Sequence, residues 1–160
     1  MQKNSGMTGM TIMELMIAIA IIGILAGVSA IMVLSRLPEY KLSSAVSELE
    51  GNLQWARLRA IKANSEYRVV FDENNETYQI FSDDGGDGWG GGNDTVARTI
   101  DLEKYHAGVN FPLAGGPITF TKRGTATSGT ILITNKNNTP TFQIRTTVAG
   151  GMTTTRLLND

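Results

Sequence analysis

Hydrophobic residues are concentrated near the start of this 160-residue chain. Residues 10–35 contain 20 hydrophobic residues out of 26, whereas residues 36–160 contain 44 out of 125. The 21 residues from Leu15 to Ser35 carry no charge. A helix of that length spans about 30 Å, which is the thickness of the hydrocarbon core of a bilayer. The pattern therefore predicts one membrane-length helix followed by a soluble domain.

A helical period of 3.6 residues follows the uncharged run. Apolar residues recur at spacings of three and four, and charged residues lie between them. This spacing is typical of an amphipathic helix whose apolar stripe faces a core. The stripe consists of Leu42, Ala45, Val46, Leu49, Leu53, Ala56, Ala60 and Ala63. We therefore expect one long helix, with an apolar half at residues 10–35 and an amphipathic half at residues 36–65 that ends near Asn64.

The rest of the chain, residues 66–160, contains short runs in which apolar and polar residues alternate, as in half-buried strands. Two of these runs flank the turn signal Asn74-Asn75 and predict a β-hairpin. The runs are Tyr67–Phe71, Tyr78–Phe81, Val96–Leu102, Ile118–Phe120, Ile131–Ile133 and Phe142–Val148. The predicted fold class is α+β, with the long N-terminal helix packed on an antiparallel β-sheet head.

The composition limits the chemistry that the chain can perform. The absence of cysteine excludes disulfides, thiolate metal sites and cysteine nucleophiles. A catalytic Ser-His-Asp triad would have to use the only histidine, His106, whose setting between Tyr105 and Gly108 predicts an exposed turn. The net charge of −1 favours neither nucleic acid nor an anionic membrane. We therefore expect that the protein is not an enzyme and that it needs no cofactor.

Glu14 is an acidic residue near the start of the apolar run, and it argues against two simple interpretations of this run. A cleaved secretory signal peptide has a purely apolar core, and here the apolar run continues past the candidate cleavage site at Ala30. In a plain membrane anchor, a deeply placed Glu14 would cost about 2.5–3.5 kcal/mol with no compensation. A third interpretation comes from the residues around Glu14.

The run Gly9-Met10-Thr11-Ile12-Met13-Glu14 and the apolar residues after it resemble the class III signal of type IV pilins and type II secretion pseudopilins. In that family a short charged leader and a glycine precede a long apolar helix that begins with a Phe-Thr-Leu-Ile-Glu-like sequence. Here the leader is residues 1–9, with Lys3 as its only charge. Gly9 matches the residue before the cut, Met10 occupies the usual Phe position, and Glu14 matches the family glutamate. The amphipathic helix also resembles, more loosely, that of the minor pseudopilins of the GspH/FimT type.

The resemblance implies that a prepilin peptidase cuts between Gly9 and Met10 and methylates Met10. The cut creates an α-ammonium group one helical turn from Glu14 and on the same face, where a carboxylate also opposes the helix dipole. Glu14 can then pair with its own N-terminus or with that of a neighbouring subunit, and the resemblance implies the second. Gly23 and Gly27 would let such helices pack closely, although glycine is common in membrane helices generally.

The function implied is that of a minor pilin or pseudopilin, a structural subunit of a type IV pilus-like or type II secretion filament. It would be a single-pass protein of the bacterial inner membrane, with its head in the periplasm or outside. Its partners would be other pilin subunits, the prepilin peptidase, the inner-membrane assembly platform and, before assembly, membrane lipid. The alternative is an anchored periplasmic binding domain that does not polymerise and that could depend on calcium. Nucleic acid is not expected, because Lys122, Arg123, Arg145 and Arg156 have no interleaved aromatic residues.

A segment rich in glycine and aspartate, residues 83–94, is the candidate metal site. Asp83, Asp87 and Asp94 fall at positions 1, 5 and 12 of the EF-hand spacing. Position 3 is Gly85, which has no carboxylate, and no helix pattern flanks the segment. The segment is either a calcium site of modest affinity or a solvated connection between two strands, and the sequence favours the connection.

Overall fold

The chain consists of two compact units, residues 1–37 and residues 38–160. The computed structural model describes residues 10–84, 89, 94–135 and 141–157. Helix α1, Ile12–Ala63, contributes to both units, and the boundary between them falls at Pro38. Proline has no N–H group, so the carbonyl of Leu34 lacks its usual helical donor at this point.

The C-terminal half of α1 supplies the central apolar surface of the head. The predicted stripe from Leu42 to Ala60 is buried, whereas Ala63 in the last turn is exposed. The helix then stops at Asn64, whose φ of 52° lies in the left-handed region. The N–H of Ser65 donates to the carbonyl of Ala60 at 3.2 Å, as in a Schellman motif. The predicted helix end near Asn64 is therefore confirmed.

Eight strands and one short helix follow α1. They are β1 Tyr67–Asp72, β2 Thr77–Asp83, β3 Asp94–Asp101, α2 Leu102–Tyr105, β4 Val109–Ala114, β5 Ile118–Phe120, β6 Gly129–Asn135, β7 Thr141–Thr146 and β8 Met152–Leu157. The strands form two antiparallel sheets, with the orders β3-β2-β1-β5 and β4-β6-β7-β8. The predicted α+β class with an antiparallel head is confirmed.

The predicted β1–β2 hairpin is present, with Tyr67 opposite Ser82 at one end and Asp72 opposite Thr77 at the other. The Asp72 carboxylate organises the turn, because it accepts hydrogen bonds from the side chain and backbone of Asn75 and from the backbone of Asn74. The hydrogen bonds from Asn75 lower the pKa of Asp72.

Three elements differ from the sequence prediction. The strand predicted to reach Leu102 ends at Asp101, whose side chain accepts a hydrogen bond from the N–H of Lys104 and begins α2. Strand β4 was not predicted, because Pro112 interrupts its pattern. Strand β8 was also missed, because its consecutive threonines do not alternate with apolar residues.

One apolar core joins α1 to both sheets. Phe71, Tyr78 and Phe111 pack against each other with ring centroids 5.4–6.2 Å apart, and thereby connect β1 and β2 of the first sheet to β4 of the second. The Tyr78 hydroxyl accepts a hydrogen bond from the Asn52 amide at 2.7 Å, and Arg98 donates to the Asn52 carbonyl oxygen at 2.8 Å. Burial of the Tyr78 hydroxyl raises its pKa.

Arg57 of α1 holds two turns of the head together. Its Nε donates to the carbonyl of Gly124 at 2.9 Å, and its Nη2 lies 3.4 Å from the carbonyl of Ala149. Gly150 follows with a φ of 77°, and a Cβ atom there would lie 2.1 Å from the Gly124 carbonyl oxygen. The two turns can therefore meet only because this position has no side chain.

Replacement of Gly150 by alanine should destabilise the head. The added Cβ must displace the Gly124 carbonyl and accept a left-handed backbone, so we expect Gly150→Ala to lower the free energy of unfolding by more than about 2 kcal/mol. Gly51→Ala is the matched control, since Gly51 lies inside α1 with no atom within 4 Å of an added Cβ. It should raise the same quantity by about 0.5–1 kcal/mol. Chemical denaturation of the detergent-solubilised protein measures both, and equal effects would contradict the close approach described here.

Candidate functional site

The apolar half of α1 presents its hydrophobic side chains outward. The 18-residue window of highest mean hydropathy has a value of 2.8, and none of it is buried. Ile12 is 81% exposed and Ile24 is 69% exposed. By length and composition this segment can cross a membrane. Because soluble proteins rarely expose apolar patches above a few hundred Å², such a surface indicates contact with lipid or with other proteins.

The N-terminus of α1 is capped by Thr11. Its hydroxyl oxygen accepts a hydrogen bond from the backbone N–H of Glu14 at 3.2 Å, and its carbonyl accepts one from Leu15 at 3.1 Å. Thr11 is therefore the N-cap and Glu14 the third helical residue, which is the spacing of a capping box. Sequence reasoning assigned no role to Thr11, although the Thr-x-x-Glu pattern carries this signal.

Glu14 lies in the first turn of α1 with its side chain exposed. Its carboxylate makes no hydrogen bond or ion pair to any residue in the described part of the chain. A carboxylate here is stabilised by the positive end of the helix dipole. The residue before the N-cap is Met10, whereas Gly9 lies outside the described residues. Pairing of Glu14 with an ammonium group on Met10 stays a prediction.

The glycines of the apolar half face open space. No atom lies within 4 Å of a Cβ built on Gly23 or Gly27, so the packing of this chain does not account for either glycine. The hydroxyl groups of Ser29 and Ser35 donate to backbone carbonyls of the helix itself, at 2.8 and 2.9 Å. Their polar groups are thereby satisfied without water, and the surface remains suited to an apolar neighbour.

His106 is buried, so the prediction of an exposed turn was wrong. Its Nε2 atom lies 2.6 Å from a carboxylate oxygen of Glu48 on α1. The cause is α2, since the N–H of His106 donates to the carbonyl of Leu102 and turns the chain back toward the core. The contact ties α2 to α1.

The candidate calcium residues are only partly brought together. Asp83 at the end of β2 lies opposite Asp94 at the start of β3, and Asp87 lies outside the described residues. Asp84 accepts hydrogen bonds from the hydroxyls of Ser82 and Thr95, which lower the pKa of its carboxyl. Within the described ranges, no group of three histidine, aspartate or glutamate residues could hold a metal ion. The calcium site stays untested.

We expect calcium to leave the stability of the head unchanged. Asp83 is only 4% exposed, and Asp84 already accepts two hydroxyl donors, so neither presents a free pair of oxygens. The melting temperature of the protein should be the same with excess Ca²⁺ and with a chelator. A ligand of the folded state raises stability by RT ln(1 + [L]/Kd), so a calcium-dependent rise that is lost in Asp83→Asn would contradict this expectation.

Two family models match the chain. Residues 1–30 match the prokaryotic N-terminal methylation motif, and residues 45–150 match the type II transport protein GspH. The second match spans well over half of the sequence. The chain belongs to the GspH family. It is thus a pilin-like structural subunit of the type II secretion or type IV pilus class, and its methylation motif implies processing by a prepilin peptidase. Family membership favours this assembly role over the anchored binding domain that the sequence left open.

Solved structures of two such proteins share the fold. The minor pseudopilin EpsH from the type 2 secretion system of Vibrio cholerae is 14% identical, with a TM-score of 0.58 over 72% of this chain and 97% of that chain. The type IV minor pilin FimU of Pseudomonas aeruginosa is 21% identical, with a TM-score of 0.56 over 72% of this chain and 88% of that chain. At these identities the likeness shows the architecture alone. A comparison with curated proteins gives no match.

Proposed function

We propose that the chain is a minor subunit of a type II secretion or type IV pilus-like filament, held in the bacterial inner membrane before assembly. The observation that carries this proposal is the outward-facing apolar half of α1, which joins a head with its own complete core. Lipid covers this surface before assembly, and the helices of neighbouring subunits cover it afterwards. Because both environments are apolar, transfer between them depends on close packing rather than on hydrophobic burial.

Glu14 contributes a charge pair whose formation depends on the relative position of two neighbouring helices. Its carboxylate costs about 2.5–3.5 kcal/mol when it lies alone at membrane depth, and pairing with an ammonium group offsets that cost. An ammonium group on Met10 of the same chain would pair with the Glu14 carboxylate wherever the subunit lies along the filament axis. An ammonium group on a neighbouring subunit would pair with it only at one offset between the two helices. We therefore assign Glu14 to the intersubunit pair and give it the role of setting axial register.

The mature protein should begin at Met10. Intact-mass analysis of protein purified from membranes should show loss of residues 1–9 and addition of one methyl group at the new N-terminus. A chain that begins at Met1, or at Ile31 after signal-peptide cleavage, would contradict the proposal. Gly9→Val is the control, because a branched residue before the cut should block processing and leave the full-length mass.

Glu14→Ala should reduce incorporation into filaments at least tenfold while leaving the amount in the membrane unchanged. Incorporation should fall because the variant removes the partner of the neighbouring ammonium group. The amount in the membrane should stay the same because loss of a polar group does not weaken the contact of the apolar helix with lipid. Glu14→Gln should behave in the same way, since it keeps the size and loses the charge. Ser35→Ala, another exposed polar position of α1, serves as the control. Fractionation of sheared filaments measures incorporation, and normal incorporation of Glu14→Ala would disprove the register role.

A further inference from the structure

The two sheets of the head have four edges, and exposed edges invite pairing with another chain. The edge of β4 is closed by the β1–β2 turn. Glu76 accepts a hydrogen bond from the N–H of Phe111 at 2.8 Å, and Glu73 accepts one from the N–H of Ala114 at 2.7 Å. Pro112 between them has no N–H to offer. An incoming strand therefore finds no free donor along β4.

Two further edges are closed in other ways. Strand β3 contains a register shift, because Arg98 pairs with Ile80 and Val96 pairs with Phe81, which leaves Ala97 as an extra residue. Such a bulge disrupts the ladder that a new strand would need. Strand β5 has only three residues, and Thr127 donates its N–H to the carbonyl of Thr119 on the outer side.

Strand β8 is the remaining edge, and no described strand pairs with its outer side. The turn before it is a three-residue hairpin loop, in which the N–H of Thr147 donates to the carbonyl of Gly151 and the N–H of Gly150 donates to the carbonyl of Thr147. Hydrogen-bonded pairs alternate with non-bonded pairs from that point along the ladder. The backbone groups of Thr153, Thr155 and Leu157 therefore face β7.

The backbone groups of Met152, Thr154 and Arg156 consequently face outward. In the described part of the chain they accept and donate no backbone hydrogen bond on that side. The strand contains no proline, and its six pairs with β7 run without a register shift. Thr154 and Arg156 also hold β8 against α1 through their side chains, which bond Glu50 and Glu39. The open edge is thus regular and fixed in place.

A groove of mixed polar and apolar lining adjoins the start of this edge at Met152. Its lining residues are Gln54, Arg57, Leu58, Ile61, Gly150 and Met152. Leu58 is 66% exposed and Ile61 is 46% exposed, although both lie on a helix whose other face forms the core. Basic side chains lie near this groove, since Lys62 is exposed on α1 and Lys122 and Arg123 are exposed on the turn whose Gly124 lies beside Ile61. The carboxylates of Glu50 and Glu39 lie along β8 itself, where they are bonded to Thr154 and Arg156.

We propose that β8 accepts an extended segment from a different subunit of the same filament, which adds to the sheet as a ninth strand of the head. The backbone of the segment pairs with Met152, Thr154 and Arg156. Its apolar side chains, at alternate positions, enter the groove beside Leu58 and Ile61, and its acidic residues face the surrounding basic side chains. This inference rests on the proposed function, because it names the partner as a filament subunit.

The described strands of a second copy of this chain do not make it a suitable partner. Its other described edges are closed, so among these strands it could offer only its own β8. Contact between identical edges is two-fold symmetric and closes on itself, and it therefore cannot continue along a filament. We therefore take the donor to be a subunit of another sequence.

A proline at position 154 tests the edge directly. Thr154→Pro removes an outward N–H that the β7 ladder does not use, so the head should fold with a nearly unchanged melting temperature. Thr154→Val is the matched control, because it also loses the hydroxyl bond to Glu50 but keeps the N–H. Each is combined with Thr153→Cys, which is the only cysteine in the chain, in full-length protein in native membranes. Photo-cross-linking through a maleimide-linked benzophenone attached to this cysteine should yield a product that mass spectrometry identifies as another pilin-class subunit, joined within a strand.

We expect Thr154→Pro to reduce this product at least tenfold and Thr154→Val to leave it within about twofold. Equal yields from the two variants, a product that contains two copies of this chain, or no product from correctly processed protein would overturn the inference. Processing at Met10 is read from the same samples. Failure of processing would count against the proposed function, whereas normal processing without the cross-link would count against the strand addition alone.

Amide hydrogen exchange provides a measurement that needs no substitution. The amides of Met152, Thr154 and Arg156 should exchange rapidly in the detergent-solubilised protein, because they face solvent. In assembled filaments they should exchange at least tenfold more slowly, whereas the amides of Thr153 and Thr155 are already protected by β7 in both states. Unchanged exchange at the three outward amides in filaments would overturn the inference.

Discussion

The apolar half of α1 must be covered by something other than its own chain, and the rest of the molecule is arranged around that requirement. Residues buried in the head supply a core that needs no help from the N-terminal segment, since the stripe from Leu42 to Ala60 already fills the space between α1 and the two sheets. No described residue before Pro38 belongs to that core. The hydrophobic surface of this segment is therefore available for lipid and for other subunits.

The head achieves its stability without covalent cross-links. The chain has no cysteine, so distant segments are joined by buried polar groups and by close backbone contacts. Arg57 connects two turns through their carbonyl oxygens, and Asn52 connects α1 to Tyr78 and Arg98. Each of these contacts has its partners within the structure, which is what makes a buried polar group tolerable. The sheet edges follow the same rule, because three of them are closed by local hydrogen bonds, a bulge or short length.

Prediction from the sequence succeeded where a short local pattern of residues determines the structure. The helical stripe, the β1–β2 hairpin and the family signal around Glu14 are local patterns, and each is found or supported. It failed where long-range contacts decide. His106 meets Glu48, 58 positions earlier, in a contact that no local pattern indicates. Strand β8 forms because β7 pairs with it, although its threonines favour no face. Thr11 is a different case, since its capping pattern was readable but was overlooked beside the more prominent glutamate. The axial offset between Glu14 and the ammonium group of a neighbouring subunit depends on how two chains pack, so a single sequence does not determine it.

The cap at Thr11 has a consequence for maturation. Because the first turn of α1 is closed by a side chain of the mature segment, the helix does not need the leader to hold its end. In the cleavage proposed after Gly9, the Thr11 cap stays in the mature chain, and the new α-ammonium group changes the charge at the start of the helix. Peptide cleavage would switch the subunit from storage in the membrane to competence for assembly without any refolding step.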